Sequence, residues 1–232
     1  MHPSKNLIFL HGWGLSSEIF KPFYHYLRND FAVYFLDLPG FGKTPIEKTM
    51  TLKDYADYVF EFLKEKKMEK PIIIGHSFGG AVATKLAIIH PESISKLILV
   101  CASAIRQPRR KIILLKKIAD ILKPLLPEKL RRFILKLLKL DKTDYARIEN
   151  PKLKETFKKV IAEDLKQDLF LVKSPTLVIW GEKDAETPLN EGKIIAEAIS
   201  GAKLAIIKNA GHFLFLEKPD EFTKLIKEFA SS

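Results

Sequence analysis

The sequence predicts an α/β fold: a mostly parallel sheet of about six strands with helices on both faces and a helical insertion. Three observations predict it. Short apolar, β-branched runs alternate with amphipathic stretches of helical period through most of the 232 residues. One such run, Ile72-Ile73-Ile74, stops at Gly75-His76-Ser77-Phe78-Gly79-Gly80 and passes at once into a helix-like run. The alternation then breaks between Arg106 and roughly Leu171, where basic residues gather.

In chain order, Leu7–Leu10 is a short buried strand that runs into His11-Gly12-Trp13-Gly14, a glycine-rich loop able to approach another group closely. Ser17 to Arg28 reads as a helix and Phe31–Leu36 as the next strand. Asp37-Leu38-Pro39-Gly40-Phe41-Gly42 is a rigid turn at that strand's end, in which Asp37 is expected to bond local amides rather than to serve catalysis. Thr51 to Lys66 reads as an amphipathic helix: Thr51 and Asp54 form a capping-box-like start, and Leu52, Tyr55, Val59, Phe62 and Leu63 share one face. Phe78 to His90 is the helix after the serine, ended by Pro91, and Leu97–Val100 is a strand closed by Cys101. After the insertion the pattern resumes with the strand Pro175–Trp180 leading to Gly181-Glu182-Lys183-Asp184. The strand Leu204–Ile207 then leads to Asn209-Ala210-Gly211-His212-Phe213, and a last helix runs from Pro219 to about Phe229.

The Gly-x-Ser-x-Gly stretch carries the chemistry. A strand that turns into a helix within about two residues strains the serine backbone and lifts its Oγ clear of the sheet. Gly75 and Gly79 let the two legs of the turn pass closely, and the Phe78 amide opens the following helix. Ser77 is a poor nucleophile unless a base takes its proton, and His212 titrates in the useful range. Asp184 would fix the His212 tautomer and stabilise the imidazolium. All three stand at strand ends, which share one edge in a parallel sheet. Glu182 and Glu186 flank Asp184 as alternative acids. His11 and His76 adjoin the site but are expected to order backbone, and His90 to sit at a helix C-terminus. His2 and His25 have no supporting context. An aspartate at position 77 would point to halide or epoxide chemistry; a serine favours acyl transfer to water.

Several classes are disfavoured. Cys101 is the only cysteine, so an intramolecular disulfide is impossible, and its place at a strand end argues against a catalytic thiol. The histidines lack metal-ligand spacing such as His-Glu-x-x-His, so neither metal nor cofactor is expected. No apolar run is long and uncharged enough to span a bilayer, and the first residues lack a signal-peptide layout, so a cytoplasmic protein is expected.

His-Gly-Trp-Gly-Leu, then Asp-Leu-Pro-Gly-Phe-Gly, then Gly-x-Ser-x-Gly-Gly resembles the α/β-hydrolase family. The likeness is strongest to its esterase branch that acts on pimeloyl–carrier protein in biotin synthesis. The family order of nucleophile, acid and base is that of Ser77, Asp184 and His212. The resemblance implies that the backbone amides of Trp13 and Phe78 form an oxyanion hole. It also implies a core of residues 1–104 and 172–232, with residues 105–171 as a helical lid. The chain departs from its relatives in lacking the usual initial hairpin, so a small sheet is expected. The implied activity is hydrolysis of a carboxylic ester through an acyl-enzyme, with the methyl ester of a carrier-bound acyl chain as one substrate. A lysophospholipase or monoglyceride lipase, a carbon–carbon bond hydrolase and a non-catalytic ligand-binding homologue remain open.

The net charge of +11 is concentrated. Between Arg106 and Lys139 stand twelve basic residues against Asp120 and Glu128, so this segment supplies +10 of it. Lys111–Leu122 and Lys129–Leu140 read as amphipathic helices separated by Pro124 and Pro127, and a more balanced helical stretch follows around Leu153 to Phe170. The basic face, with Arg109, Arg110, Arg131 and Arg132, is open to three readings: a solvated surface, docking of an acidic acyl carrier protein, or attachment to an anionic membrane. No nucleic-acid-binding motif accompanies the charge.

Overall fold

The computed structural model describes residues 5–106 and 148–232. Six strands form one sheet: β1 (Asn6–Leu10), β2 (Ala32–Leu36), β3 (Ile72–His76), β4 (Lys96–Val100), β5 (Thr176–Gly181) and β6 (Lys203–Ile207), in the order β2-β1-β3-β4-β5-β6. Every pairing is parallel. The chain starts at β1, steps out to β2 and returns to β3 on the other side of β1. The order therefore reverses between β1 and β3, the place where open parallel sheets leave a crevice at their carboxyl ends.

β3 is buried at all five residues, as its unbroken apolar run demands. The helices among the described residues are α1 (Tyr24–Leu27), α2 (Leu52–Glu65), α3 (Phe78–Ile89), α4 (Pro151–Ala162), α5 (Leu189–Ala198), α6 (Leu214–Glu217) and α7 (Pro219–Ser231). The α2 capping box is made in full: the Asp54 amide donates to Thr51 Oγ1 at 3.2 Å and the Thr51 amide to Asp54 Oδ2 at 2.8 Å. Among the described residues no helix is long and apolar enough to cross a membrane.

The structure departs from the sequence reading in three places. Residues Ser17–Phe23 are a 3₁₀ helix that passes into the short α1, not one α-helix, because Pro22 removes an amide from the middle of the stretch. The helical stretch after residue 150 ends at Ala162 and gives way to a 3₁₀ turn at Lys166–Leu171. α5 has no counterpart in the reading. Its interior Gly192 masks the helical pattern, and the reason for that glycine is tertiary: a Cβ there would stand 2.6 Å from the indole of buried Trp180.

The two helices read at 111–122 and 129–140, with Arg109, Arg110, Arg131 and Arg132, lie outside the described residues. α4, which follows them, is fixed to the rest of the fold by polar contacts. Thr156 Oγ1 accepts the Met50 amide at 2.9 Å, Lys152 Nζ donates to the Glu47 carbonyl at 2.6 Å, and the Leu165 amide bonds the Ala104 carbonyl at 3.0 Å. Arg106 closes the seam. Its guanidinium donates to the carbonyls of Val160 and Ile161 at 3.0 Å, at the end of α4, and to the Ser103 carbonyl at 2.8 Å. Burial lowers its pKa, opposed by Asp164, Glu191 and Glu163. This arginine, one of the twelve basic residues counted above, is thus engaged with backbone and not part of a solvated face.

Candidate active site

Ser77 sits between β3 and α3 with φ 51° and ψ −115°, a conformation that side chains other than glycine rarely adopt. The surroundings hold it there. Its amide donates to the Val100 carbonyl at 3.0 Å, and its carbonyl accepts the amides of Ser103 at 2.9 Å and Gly80 at 3.0 Å. The glycine spacing is steric. A Cβ on Gly75 would run into the Gly79 carbonyl, and one on Gly79 into the carbonyl oxygens of Leu10 and His11. The elbow is therefore packed directly on the end of β1.

That packing brings the His11–Gly14 loop beside the elbow. His11 is buried and its two ring nitrogens are both used. The Leu38 amide donates to Nε2 at 3.0 Å, so Nδ1 carries the hydrogen and donates it to the Gly12 carbonyl at 2.8 Å. Burial lowers the His11 pKa and keeps the ring neutral, although the Gly12 bond and Asp37 pull the other way. The bond pins the Gly12–Trp13 peptide and hence the direction of the Trp13 amide. The Trp13 ring meets Phe41, Phe78 and Phe157 of α4 at centroid distances of 4.9, 5.1 and 4.9 Å, an apolar wall on one side of the site. Asp37 holds the neighbouring turn as expected, accepting the amides of Lys43 at 2.9 Å and, from the adjacent loop, Ser17 at 2.7 Å.

Asp184 and His212 come from the loops after β5 and β6. Asp184 Oδ2 lies 2.8 Å from His212 Nδ1, with the two side chains 0% and 5% exposed. Oδ1 accepts the amides of Glu186 at 2.8 Å and Thr187 at 2.9 Å. Ser77 and His212 both line one cavity of about 650 Å³, together with Trp13, Phe41, Leu153 and Glu186. The order Ser77, Asp184, His212 is thus gathered at the carboxyl edge of the sheet.

The sequence matches the alpha/beta hydrolase family over residues 7–225. This chain belongs to that family. Among curated relatives, the pimeloyl-[acyl-carrier protein] methyl ester esterase of Wigglesworthia glossinidia brevipalpis is 31% identical, the match covering 97% of this chain and 93% of that protein. The protein of the same name from Photorhabdus laumondii is 29% identical, with 98% and 93% covered. Among solved structures, an esterase from Exiguobacterium antarcticum superposes with a TM-score of 0.77 at 22% identity, covering 100% of this chain and 94% of that one. A hydrolase from Pseudomonas aeruginosa PA01 gives 0.77 at 24% identity, with 98% and 90% covered. These structures share the fold.

In this hydrolase Asp184 and His212 are electrostatically paired. Burial would raise the Asp184 carboxyl, but the hydrogen bond and charge of His212, with donation from the Cys101 thiol and the Thr187 amide, hold it down at about 2. Glu186 reaches His212 from the other side: its Oε2 is 3.5 Å from Nε2, the nitrogen opposite Asp184, and its side chain is 65% exposed. Glu182 faces away and accepts the Asn209 amide at 2.9 Å. Of the three carboxylates near this turn, only Asp184 meets Nδ1.

His76 packs behind His212. Its Nε2–H donates to the His212 carbonyl at 3.1 Å, and the two rings lie 4.7 Å apart. Burial, reinforced by the nearby His212, lowers its pKa to about 3, so the ring stays neutral. The expectation that His11 and His76 order backbone describes their bonds. His90 caps α3 and stacks on Phe60, 3.9 Å between centroids, with Nε2 3.0 Å from Asp57.

Cys101, Asp184 and His212 offer ligand atoms within 4.8 Å of one another, the one such group among the described residues. Those atoms are already committed to each other and to the 184–187 turn. The Cys101 thiol donates to Asp184, and burial with that carboxylate's charge pushes its pKa up, away from the thiolate a metal would need. Sequence reasoning missed Thr187, whose hydroxyl is 2.8 Å from Asp184 Oδ2 and 3.3 Å from His212 Nδ1. Its spacing of three from Asp184 was the available signal, since Asp and Thr side chains commonly bond turn amides two or three residues on.

Proposed function

We propose that this chain, an ester-hydrolysing α/β hydrolase, is a serine carboxylesterase that works through an acyl-enzyme. The observation that carries the reading is a serine at a strained strand–helix junction that shares a cavity with a histidine whose far nitrogen is bound to a buried aspartate. His212 Nε2 takes the Ser77 proton as Oγ bonds to the ester carbonyl carbon, and the amides of Trp13 and Phe78 receive the charge that develops on the carbonyl oxygen. Collapse breaks the carbon–alkoxy bond, and the imidazolium returns its proton to the leaving alcohol. Water then attacks the acyl-serine as His212 takes a proton from it, the bond from the acyl carbon to Oγ breaks, and the imidazolium returns that proton to Ser77 Oγ as the acid leaves. Asp184 keeps the Nδ1 hydrogen in place and stabilises the imidazolium in both halves.

The names of the curated relatives support the methyl ester of a carrier-bound pimeloyl-type acyl chain as substrate. With Arg106 set aside, the net +9 between Arg109 and Lys139 (eleven basic residues against two acidic) supports an acidic carrier protein as the partner, docked on residues 105–171, which we read as a lid over a core of 1–104 and 172–232. Attachment of the same face to an anionic membrane is the second reading.

The test is labelling by a fluorophosphonate probe combined with ester hydrolysis. Wild type should label and Ser77→Ala should not, and turnover of p-nitrophenyl esters should fall by several orders of magnitude in the variant, roughly 10⁴ or more. Folded wild type that takes no label overturns the nucleophile. A carrier-linked methyl ester should be hydrolysed faster than the same ester free in solution, with the advantage shrinking as salt rises. Equal rates would remove the carrier, and salt-reversible sedimentation with anionic vesicles would favour the membrane.

A further inference from the structure

We propose that Thr187 is a positioning residue for the reaction: its hydroxyl holds Asp184 against His212 and sets how strongly that carboxylate draws on the imidazole proton. The inference rests on the acyl-transfer reading above. The Thr187 hydroxyl lies 2.8 Å from Asp184 Oδ2, 3.2 Å from the Cys101 carbonyl oxygen and 3.3 Å from His212 Nδ1. A hydroxyl has one hydrogen to give and lone pairs that accept. The carboxylate and the carbonyl can only accept, and His212 Nδ1–H can only donate. The hydrogen therefore goes to the shorter and charged acceptor, Asp184 Oδ2, while a lone pair faces Nδ1–H. Asp184, Thr187 and His212 close a small ring in which Oδ2 divides its charge between two donors.

Thr187 is itself rigidly placed. Its carbonyl accepts the indole N–H of buried Trp180 at 2.7 Å, and its amide donates to Asp184 Oδ1. These two bonds fix the backbone from which the hydroxyl projects toward Asp184 and His212. A group fixed by β5, touching the acid and the base at once, is suited to hold their geometry while charge appears on the imidazole.

Removing the hydroxyl has two consequences. Oδ2 loses its second donor and is no longer held from that side, so turnover falls. A larger share of the carboxylate's charge then acts on His212, which makes the imidazolium more stable and moves the acid limb of the kcat/KM profile to higher pH. The lost lone pair at 3.3 Å acts in the opposite sense, but a neutral contact at that length is weaker than a 2.8 Å bond to a carboxylate. The other titratable groups facing the pair are Cys101 from the end of β4, His76 from β3 and Glu186 from the same turn, with Glu217 of α6 acting on Cys101; the substitution leaves them in place.

The experiment compares Thr187→Val, Thr187→Ser and wild type on a p-nitrophenyl ester across pH. Thr187→Val should lower kcat/KM roughly tenfold, a fraction of the hundredfold that an atomic misplacement of about 1 Å can cost. Its acid limb should move up, and Thr187→Ser should restore both rate and profile. A Val variant that matches wild type in rate and pH profile overturns the proposal, as does a Ser variant that fails as badly as Val. Should Val fold poorly, the low-field Nδ1–H proton resonance of His212 in Thr187→Ser and Thr187→Ala decides. It should stay in the first and shift in the second, and an unshifted signal in Ala overturns the role. A failure here leaves Ser77 labelling intact, whereas loss of that labelling in wild type would sink the triad itself.

Discussion

The serine turn and the aspartate turn stand on the same sheet edge but are held by different physics. Around Ser77 the determinant is shape. Two glycines are required because backbone carbonyls occupy the space where Cβ atoms would be, and the strained serine follows from that packing. Around Asp184 the determinant is polar pairing. A buried carboxylate receives two amides, a hydroxyl, a thiol and an imidazole, and no glycine shapes the four residues from Asp184 to Thr187. The first arrangement leaves no room for an added atom; the second depends on its donors. One should fail on steric change at any pH, and the other on changes of charge.

The largest expected effect is at the elbow. Gly79→Ala places a methyl group on the Leu10 and His11 carbonyls, both backbone, so the start of α3 must move away from the end of β1. The cost should exceed about 4 kcal/mol, in the range that marks the severe single substitutions. Chemical denaturation should show it with the same loss at pH 5 and pH 8. A stable Gly79→Ala protein would show that the glycine spacing is not steric.

The next effect separates the two regions by pH. The folded Asp184 pKa is depressed, so its stabilisation is complete above the unfolded value near 3.8 and is lost as pH falls toward about 2, an amount on the order of 2 kcal/mol. His76 acts earlier. Its folded pKa is lowered from 6.5 to about 3, so the unfolded chain binds the extra proton and stability declines as pH falls from 6.5 through about 3. His76→Gln should flatten the stability profile between pH 6 and 4 while leaving the steep loss below 4. An unchanged slope in that window would show that His76 is not the group being charged.

The smallest effect lies at the seam where the two kinds of support meet. Arg106 ties the end of α4 to Ser103, whose amide holds the Ser77 carbonyl. Arg106→Ala removes hydrogen bonds from a charged but only part-buried donor, so the cost should be about 1 kcal/mol. Hydrogen exchange should quicken across Pro151–Ala162 ahead of Ile72–Val100. Equal acceleration of both would mean that Arg106 supports the elbow as much as α4.

These contrasts explain what was legible in advance. Strand runs, the capping box at Thr51 and the Gly-x-Ser-x-Gly junction are set by neighbours in the chain, so composition and period expose them. The turn of Ser17–Phe23 was misjudged only in helix type, through Pro22. α5 was hidden because Gly192 answers to Trp180, twelve residues earlier and on another element. Glu182 and Glu186 each stand two residues from Asp184, so the sequence leaves three carboxylates open. Only the fold sends Glu186 to Nε2 and Asp184 to Nδ1.

By itself, then, the sequence determined the alternation of strands and helices, the strained serine between two glycines, the order Ser77, Asp184, His212, and the gathering of charge after Arg106. These are consequences of local sterics, hydrophobic period and composition. Tertiary structure decided the partners: that His11 takes the Leu38 amide, that His76 takes the His212 carbonyl, that Arg106 is engaged in a seam, and that the Thr187 hydroxyl joins Asp184 to His212. A hydrogen-bond partner dozens of residues away leaves no periodic mark in the chain. Its choice is made when the sheet closes and buried polar groups must find each other or go unpaired.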